Sequence, residues 1–201
     1  MIYQKLLGDD FQKLHPKLQE RYLLPLDEPF VATGMMQKIQ SGAKILTPFY
    51  LLATKINFLF PESGEQIRFS IRNTCTVLPN NEYEIEWERR FYFGDIVRRF
   101  DAKMTIDTEM QIVKDYLGSP SLFYSDLHFS VSKEGHLIIR SGVQRFVLGN
   151  LEIPMPKLLE GRVLVEEAYD DERDVFTIHV SIHNPLLGRL MMYAGQFKEV
   201  I

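Results

Sequence analysis

The chain has 201 residues, 45% of them hydrophobic, and its 23 basic and 27 acidic side chains give a formal net charge of −4 at pH 7. This length and apolar content suit one buried core, so we expect a single domain over residues 1–201. The acidic balance argues against nucleic acid as a partner. The single cysteine, Cys75, excludes an intramolecular disulfide.

The N-terminal stretch MIYQKLLGDDFQKL carries charges where a signal peptide needs an apolar run. The longest apolar segment, residues 45–60, is shorter than the about 20 residues of a spanning helix. Lys55 and Asn57 also interrupt it. We therefore expect a cytoplasmic protein without a transmembrane segment.

Residues 1–62 are predicted to be a helical part with one early strand. Pro16 fits the first position of a helix, so two short helices with a bend at His15 are expected. A first strand is predicted from Val31 over residues 31–40. A further helix is predicted over residues 48–60, and because it is apolar nearly all round, we expect protein to cover most of its sides.

Residues 63–201 are predicted to be an antiparallel β-meander, because apolar and polar residues alternate there between short turns. The strand candidates are residues 66–77, 82–93, 96–107, 111–118, 122–131, 136–148, 162–169, 174–182 and 190–200. The fold class is thus mainly β with minor α. We expect an antiparallel barrel or strongly curved half-barrel of about 8–10 strands, calycin-like, with the N-terminal helices packed at one end. The alternative is a flatter sheet with helices laid across it.

The stretch WERRFYFGDIVRRFDA, residues 87–102, places two arginine pairs among aromatic residues. Side chains alternate between the faces of a strand, so Arg89 shares the apolar face of Trp87 and Phe91. Arg98 likewise lies on the apolar face of the next strand. The sequence therefore predicts one inward arginine in each pair, with Arg90 and Arg99 pointing outward.

Arg145 is a third candidate, although both faces of its strand are apolar and its direction stays open. Glu167 is the best carboxylate on an apolar face. An inward arginine needs a partner, since an unpaired buried charge costs several kcal/mol. That partner is either internal, in an Arg–Glu network or by stacking on Trp87 and Phe91, or the carboxylate or phosphate of an apolar ligand.

Recognisable catalytic motifs are missing from the sequence. It has no G-x-S-x-G elbow and no glycine-rich phosphate loop between a strand and a helix. His179 and His183 lie too far apart along one strand to share a metal. We therefore expect no metal, no cofactor and no catalytic residue, and an enzyme is the least supported function.

Several stretches resemble, in the same order, the bacterial family known as domain of unknown function 4166. They are LLGDDFQKLHPKLQERY, W-x-R-x-F at Trp87, RRFDAKM, DYLG, RSG-x-QRF from Arg140, YDDERD-x-F and NPLLG. The resemblance spans nearly the whole chain, and we expect a member that stands alone. It implies no reaction, because that family has no agreed activity.

Our first hypothesis is a protein that binds a small apolar or amphipathic ligand, lipid-like and possibly anionic, inside a barrel. The predicted ligand-binding residues are Arg89, Arg98, Arg145, Glu167, Trp87 and Phe91. The alternative is an accessory domain that contacts another protein or a membrane protein, with a filled core and a structural Arg–Glu network. A cavity of about 300 Å³ or more favours the first hypothesis.

Overall fold

The computed structural model describes residues 2–26 and 28–200. The helices are α1 (Ile2–Leu7), α2 (Pro16–Leu23) and α3 (Thr47–Ala53), and short 3-10 turns span Gly8–Lys13, Lys44–Leu46 and Thr54–Ile56. The strands are β1 (Phe30–Ser41), β2 (Gly64–Val77), β3 (Tyr83–Phe93), β4 (Ile96–Asp107), β5 (Ile112–Gly118), β6 (Ser121–Val131), β7 (Leu137–Leu148), β8 (Leu151–Pro154), β9 (Arg162–Asp170), β10 (Val175–Asn184) and β11 (Gly188–Glu199).

Ten of these strands form a closed antiparallel barrel. The sheet runs β6-β5-β4-β3-β2-β1-β11-β10-β9-β7, and the pairing of β6 with β7 closes the ring. The predicted antiparallel barrel with N-terminal helices is confirmed, and the flatter sheet is wrong. The predicted turn at Gly94-Asp95 joins β3 to β4, and Gly94 adopts the positive φ of 60° that this turn requires.

Strand β7 changes its partner along its length. Its first part, Leu137–Arg140, pairs with β9, whereas Arg145–Leu148 pairs with the short strand β8 outside the ring. Where β7 and β9 separate, side chains replace the backbone ladder: Gln144 donates to the Gly161 carbonyl at 2.6 Å and accepts from the Gly161 amide at 2.9 Å. Sequence periodicity did not predict β8, because four residues ending in proline carry too little pattern.

The strand directions give the barrel two distinct ends. The mouth end, as we call it, carries the connections 42–63, 94–95, 119–120, 149–150, 155–161 and 185–187. The helix end carries the connections 78–82, 108–111, 132–136 and 171–174. Helices α1 and α2 contact β4, β6 and β9. The His15 amide donates to the Gly135 carbonyl in one of the helix-end turns, at 3.0 Å.

The N-terminal helices fill the helix end. The bend between them lies at His15, as predicted, and the His15 ring accepts from the Lys17 amide at the start of α2. Six apolar side chains of this N-terminal segment are at most 4% exposed and belong to one core with the barrel strands: Tyr3, Leu6, Phe11, Leu14, Leu18 and Tyr22. Burial of large apolar groups on this scale is what holds the helices in place.

A buried ion pair joins the helices to the barrel wall. Arg21 of α2 donates through Nε to Glu167 of β9, and the Tyr22 hydroxyl donates to the same carboxylate at 3.0 Å. The two charged side chains are 2% and 0% exposed. The Arg21 guanidinium also lies 4.1 Å from the centroid of the Phe30 ring. Glu167 therefore has an internal partner.

Helix α3 is shorter and more exposed than predicted. It ends at Ala53, followed by a 3-10 turn, and Asn57 in the left-handed region (φ 52°) stops helical structure before Phe58. The expectation of cover on most sides is wrong, because Leu51 and Leu52 are 52% and 66% exposed. One side of α3 packs against the barrel through Tyr50 and Ala53, whereas Phe58, Leu59 and Phe60 beyond the helix are buried.

None of the helices within residues 2–26 and 28–200 combines the length and the apolar character needed to cross a bilayer.

Replacing the buried carboxylate tests the anchoring of the helices. We expect Glu167→Gln to lower the free energy of unfolding by about 3–5 kcal/mol, because it leaves Arg21 charged and buried without a carboxylate. Glu166→Gln is the matched control, since that neighbouring side chain is 48% exposed and pairs with His136 at the surface. Urea titrations of both variants measure the difference, and equal losses would contradict the anchoring role.

Candidate functional site

A cavity of about 400 Å³ occupies the barrel interior toward the mouth end. Inward side chains of the strands form its wall, among them Phe100, Met104, Leu127, Ile139, Val165 and Val180. The connections of the mouth end form its rim, through Leu46, Phe49, Met155, Leu159 and Leu187. The volume lies within the range of about 300–1,000 Å³ that is usual for small-molecule sites.

The interior of this barrel is therefore not filled by its own side chains. Most of the lining is aliphatic or aromatic, so the body of a ligand that enters it must be apolar. A few polar side chains interrupt the lining: Arg89, Asp115, Tyr124, Ser125, Gln144, Asn184 and Tyr193.

Arg89 of β3 is the cationic group of the cavity and is only 8% exposed. Its Nε donates to the Phe100 carbonyl at 2.9 Å, and Nη1 donates to the Tyr193 hydroxyl at 3.4 Å. The guanidinium lies over the Phe100 ring, 4.0 Å from its centroid. Within the described part of the chain, no carboxylate forms an ion pair with it. A buried guanidinium in this state leaves room for an anion.

Asp115 of β5 is the acidic group of the cavity and is 5% exposed. Burial raises its pKa to about 7, even though the positive charge of Arg89 acts in the opposite direction. Its Oδ1 atom is buried and has no hydrogen-bond partner among residues 2–26 and 28–200. Near neutral pH the cavity thus holds a carboxyl group that gains or loses a proton easily.

The rim of the cavity is held by two buried amides. Asn184, fully buried at the end of β10, donates to the carbonyls of Leu158 and Glu160 at 2.8 and 2.9 Å. Its Oδ1 accepts from the amides of Leu186 and Leu187. One side chain thereby joins the connection before β9 to the turn between β10 and β11, in addition to the bridge that Gln144 makes to Gly161.

Two of the six residues predicted to bind a ligand, Arg89 and Trp87, line the cavity. Arg98 reaches Glu62, with Nε at 2.9 Å from Oε2, and Arg145 pairs with Glu152 at 2.6 Å. Phe91 is fully buried and packs between aromatic rings, including those of Phe69 and Tyr193. Arg98, Arg145, Phe91 and Glu167 do not belong to the cavity lining.

Sequence reasoning missed Asp115 and Tyr193. The signal for Asp115 was present, because it alternates with Val113 and Leu117 on the apolar face of its strand. Tyr193 similarly alternates with Met191 and Phe197. Within the residues that the structure describes, no group of three or more His, Cys, Asp or Glu side chains is arranged to hold a metal ion.

The titration of Asp115 gives a pH-dependent stability. Its pKa is raised above the unfolded value of about 3.9, so the folded state holds a proton that the unfolded state releases, and stability falls as pH rises toward 7. The asparagine of Asp115→Asn does not titrate, so this variant should not lose stability in the same way. We expect the difference in free energy of unfolding between the variant and the unsubstituted protein to grow by about 2–3 kcal/mol from pH 5 to pH 8.

Urea titrations at pH 5 and pH 8 measure this difference. Asp107→Asn is the control, since hydrogen bonds from Met110 and Lys114 lower the pKa of Asp107 and keep it ionised throughout this range. Parallel pH profiles for Asp115→Asn and the unsubstituted protein would contradict the raised pKa.

Comparison with known proteins places the chain in a family. A family model described as Domain of unknown function (DUF4166) matches residues 14–197. The chain is also 37% identical over 198 residues to "Uncharacterized protein YndH" of Bacillus subtilis (strain 168), and the alignment covers 98% of this chain and 96% of that relative. The resemblance noted in the sequence is confirmed, and the protein belongs to the DUF4166 family of unknown function.

Proposed function

We propose that the protein binds a small amphipathic anion in its barrel cavity, with the apolar part of the ligand in the cavity and its carboxylate or phosphate at Arg89. The observation that carries the proposal is the pairing of an apolar cavity of about 400 Å³ with a buried guanidinium that lacks an ion-pair partner in residues 2–26 and 28–200. The binding is non-enzymatic.

The apolar lining supplies the larger share of the binding free energy. Each methylene group transferred from water into such a site contributes about 0.8 kcal/mol, so affinity rises about fourfold per methylene until the cavity is full. A ligand with a single unbranched chain can extend this contact without adding polar groups that the cavity would leave unsatisfied.

Arg89 supplies orientation and selectivity for charge. Two of its nitrogens are held by the Phe100 carbonyl and the Tyr193 hydroxyl, so the guanidinium is fixed before a ligand arrives. A group positioned in advance loses little conformational entropy on binding. A hydrogen bond to a charged partner at such a site contributes about 1.5–3 kcal/mol.

The protonated form of Asp115 favours binding of the anion. Its neutral carboxyl group can donate one hydrogen bond to the ligand, whereas the ionised form repels it. Burial also raises the pKa of Tyr124, another titratable side chain of the lining, so its hydroxyl stays protonated across the physiological range. Asp115 is therefore the group that makes ligand affinity depend on pH.

The alternative function is an accessory domain with a filled core and a structural Arg–Glu network, and one observation at the helix end supports it. The buried Arg21–Glu167 pair is an internal Arg–Glu network with no ligand involved. That network lies between the helices and the wall, however, whereas Arg89 faces open volume. The cavity therefore favours ligand binding over a structural role for Arg89.

Binding of decanoate and decanol tests the proposal, because the two probes share a chain and differ in charge. Trp87, the single tryptophan, lines the cavity, so its fluorescence reports occupation. We expect decanoate to bind, and Arg89→Gln to weaken decanoate by about 10–100-fold while changing decanol affinity little.

Arg98→Gln is the matched control, since this arginine of the neighbouring strand pairs with Glu62 away from the cavity. It should leave the affinity for both probes unchanged. Failure of decanoate to change Trp87 emission, or an equal loss in the Arg98→Gln variant, would contradict the proposed site.

Decanoate affinity should also depend on pH through Asp115. Above pH 7 the ionised carboxylate opposes the ligand, so affinity should fall by up to about tenfold per pH unit, whereas decanol affinity should stay constant. Asp115→Asn should remove the dependence. Measuring both probes from pH 6 to pH 9 checks this, and an unchanged slope in the variant would assign the effect to another group.

A further inference from the structure

Exposed apolar side chains surround the entrance of the cavity. Four residues that line it, Leu46, Phe49, Leu159 and Leu187, lie in the connections of the mouth end. Other apolar residues of the same connections are exposed to solvent, with exposed fractions of 82% for Ile45, 66% for Leu52, 58% for Leu158 and 69% for Leu186. Apolar surface gathered in this way on a folded protein marks an interaction site.

Positive charges lie in the same connections and at the start of β11. Lys44 precedes Ile45, Lys157 precedes Leu158, and Arg189 follows the turn that holds Leu186. All three side chains are exposed, and within the described residues none forms an ion pair. Three acidic residues lie in the mouth-end connections: Glu62 pairs with Arg98, Glu160 is partly buried, and Asp95 is exposed. On a chain with net charge −4, this local excess of cations favours an anionic partner.

We propose that the mouth end docks on an anionic lipid bilayer, with Ile45, Leu52, Leu158 and Leu186 entering the headgroup region and Lys44, Lys157 and Arg189 lying beside the lipid phosphates. Insertion of apolar side chains together with nearby cations is the combination by which peripheral proteins hold to membranes. Each cation close to such a surface contributes a severalfold gain in affinity.

A bilayer fits this surface better than a protein partner does. The apolar side chains come from three separate connections rather than from one continuous groove, and a fluid surface demands no matching shape. The cavity opens among them, so a docked protein would exchange an apolar ligand with the membrane without taking it through water. That exchange rests on the proposed function, whereas the docking itself needs no ligand.

Co-sedimentation of the full chain with vesicles tests the docking. We expect binding to vesicles of equal parts phosphatidylglycerol and phosphatidylcholine, weaker binding to phosphatidylcholine alone, and a loss of binding as salt is raised. The variant Leu52→Ser/Leu186→Ser should bind at least tenfold more weakly, and Lys44→Glu/Lys157→Glu should lose the preference for phosphatidylglycerol.

Met110→Ser/Val200→Ser is the matched control, because those side chains are 61% and 52% exposed at the helix end. It should bind vesicles like the unsubstituted protein. Equal losses in the control, or no binding to either vesicle, would overturn the proposal. A change of sedimentation coefficient with Leu52→Ser/Leu186→Ser in the absence of lipid would identify the surface instead as a contact between copies of the chain.

The two proposals fail separately in these measurements. The Arg89→Gln variant should have the weakened affinity for decanoate described above but an unchanged affinity for vesicles, since Arg89 is buried in the cavity. Decanoate binding without vesicle binding would reject the docking alone. Vesicle binding without decanoate binding would reject the cavity function and leave the docking standing.

Discussion

The width of a closed ring of ten strands is the constraint on which the rest of this structure depends. A barrel of about eight strands is just wide enough for its inward side chains to fill, and the diameter grows with strand number. Here α1 and α2 fill the helix end with aromatic and aliphatic side chains. At the mouth end Phe58, Leu59 and Phe60 are buried, but α3 packs on one side only and a cavity of about 400 Å³ remains.

Two buried arginines show how the two ends differ. Arg21 is neutralised by Glu167 and surrounded by aromatic rings, so its charge is satisfied within the protein. Arg89 has a carbonyl, a hydroxyl and an aromatic face, but no ion-pair carboxylate in the described chain, and it faces open volume. The first arrangement fixes the helices to the wall, and the second suits recognition of an anion that arrives from outside.

Alternation of apolar and polar residues predicted the barrel well, because strand periodicity depends only on which face is buried. The same parity placed Arg89 inside. It could not distinguish Arg89 from Arg98, because the partner of Arg98 is Glu62 in a loop whose path no local pattern encodes. The short strand β8 and the exposure of Leu52 depended likewise on tertiary contacts. The same parity rule places Asp115 on the apolar face of β5 beside Val113, so its inward position was predictable from the sequence.

In the proposed binding mode, Arg89 holds an anion at the end of an apolar chain inside the barrel. A crystal structure with decanoate that carries bromine at its chain end tests this most directly, since the anomalous signal of bromine locates the chain. We predict bromine within the cavity and the carboxylate within hydrogen-bond distance of the Arg89 guanidinium. A cavity filled by rearranged side chains, or bromine bound only on the outer surface, would contradict it.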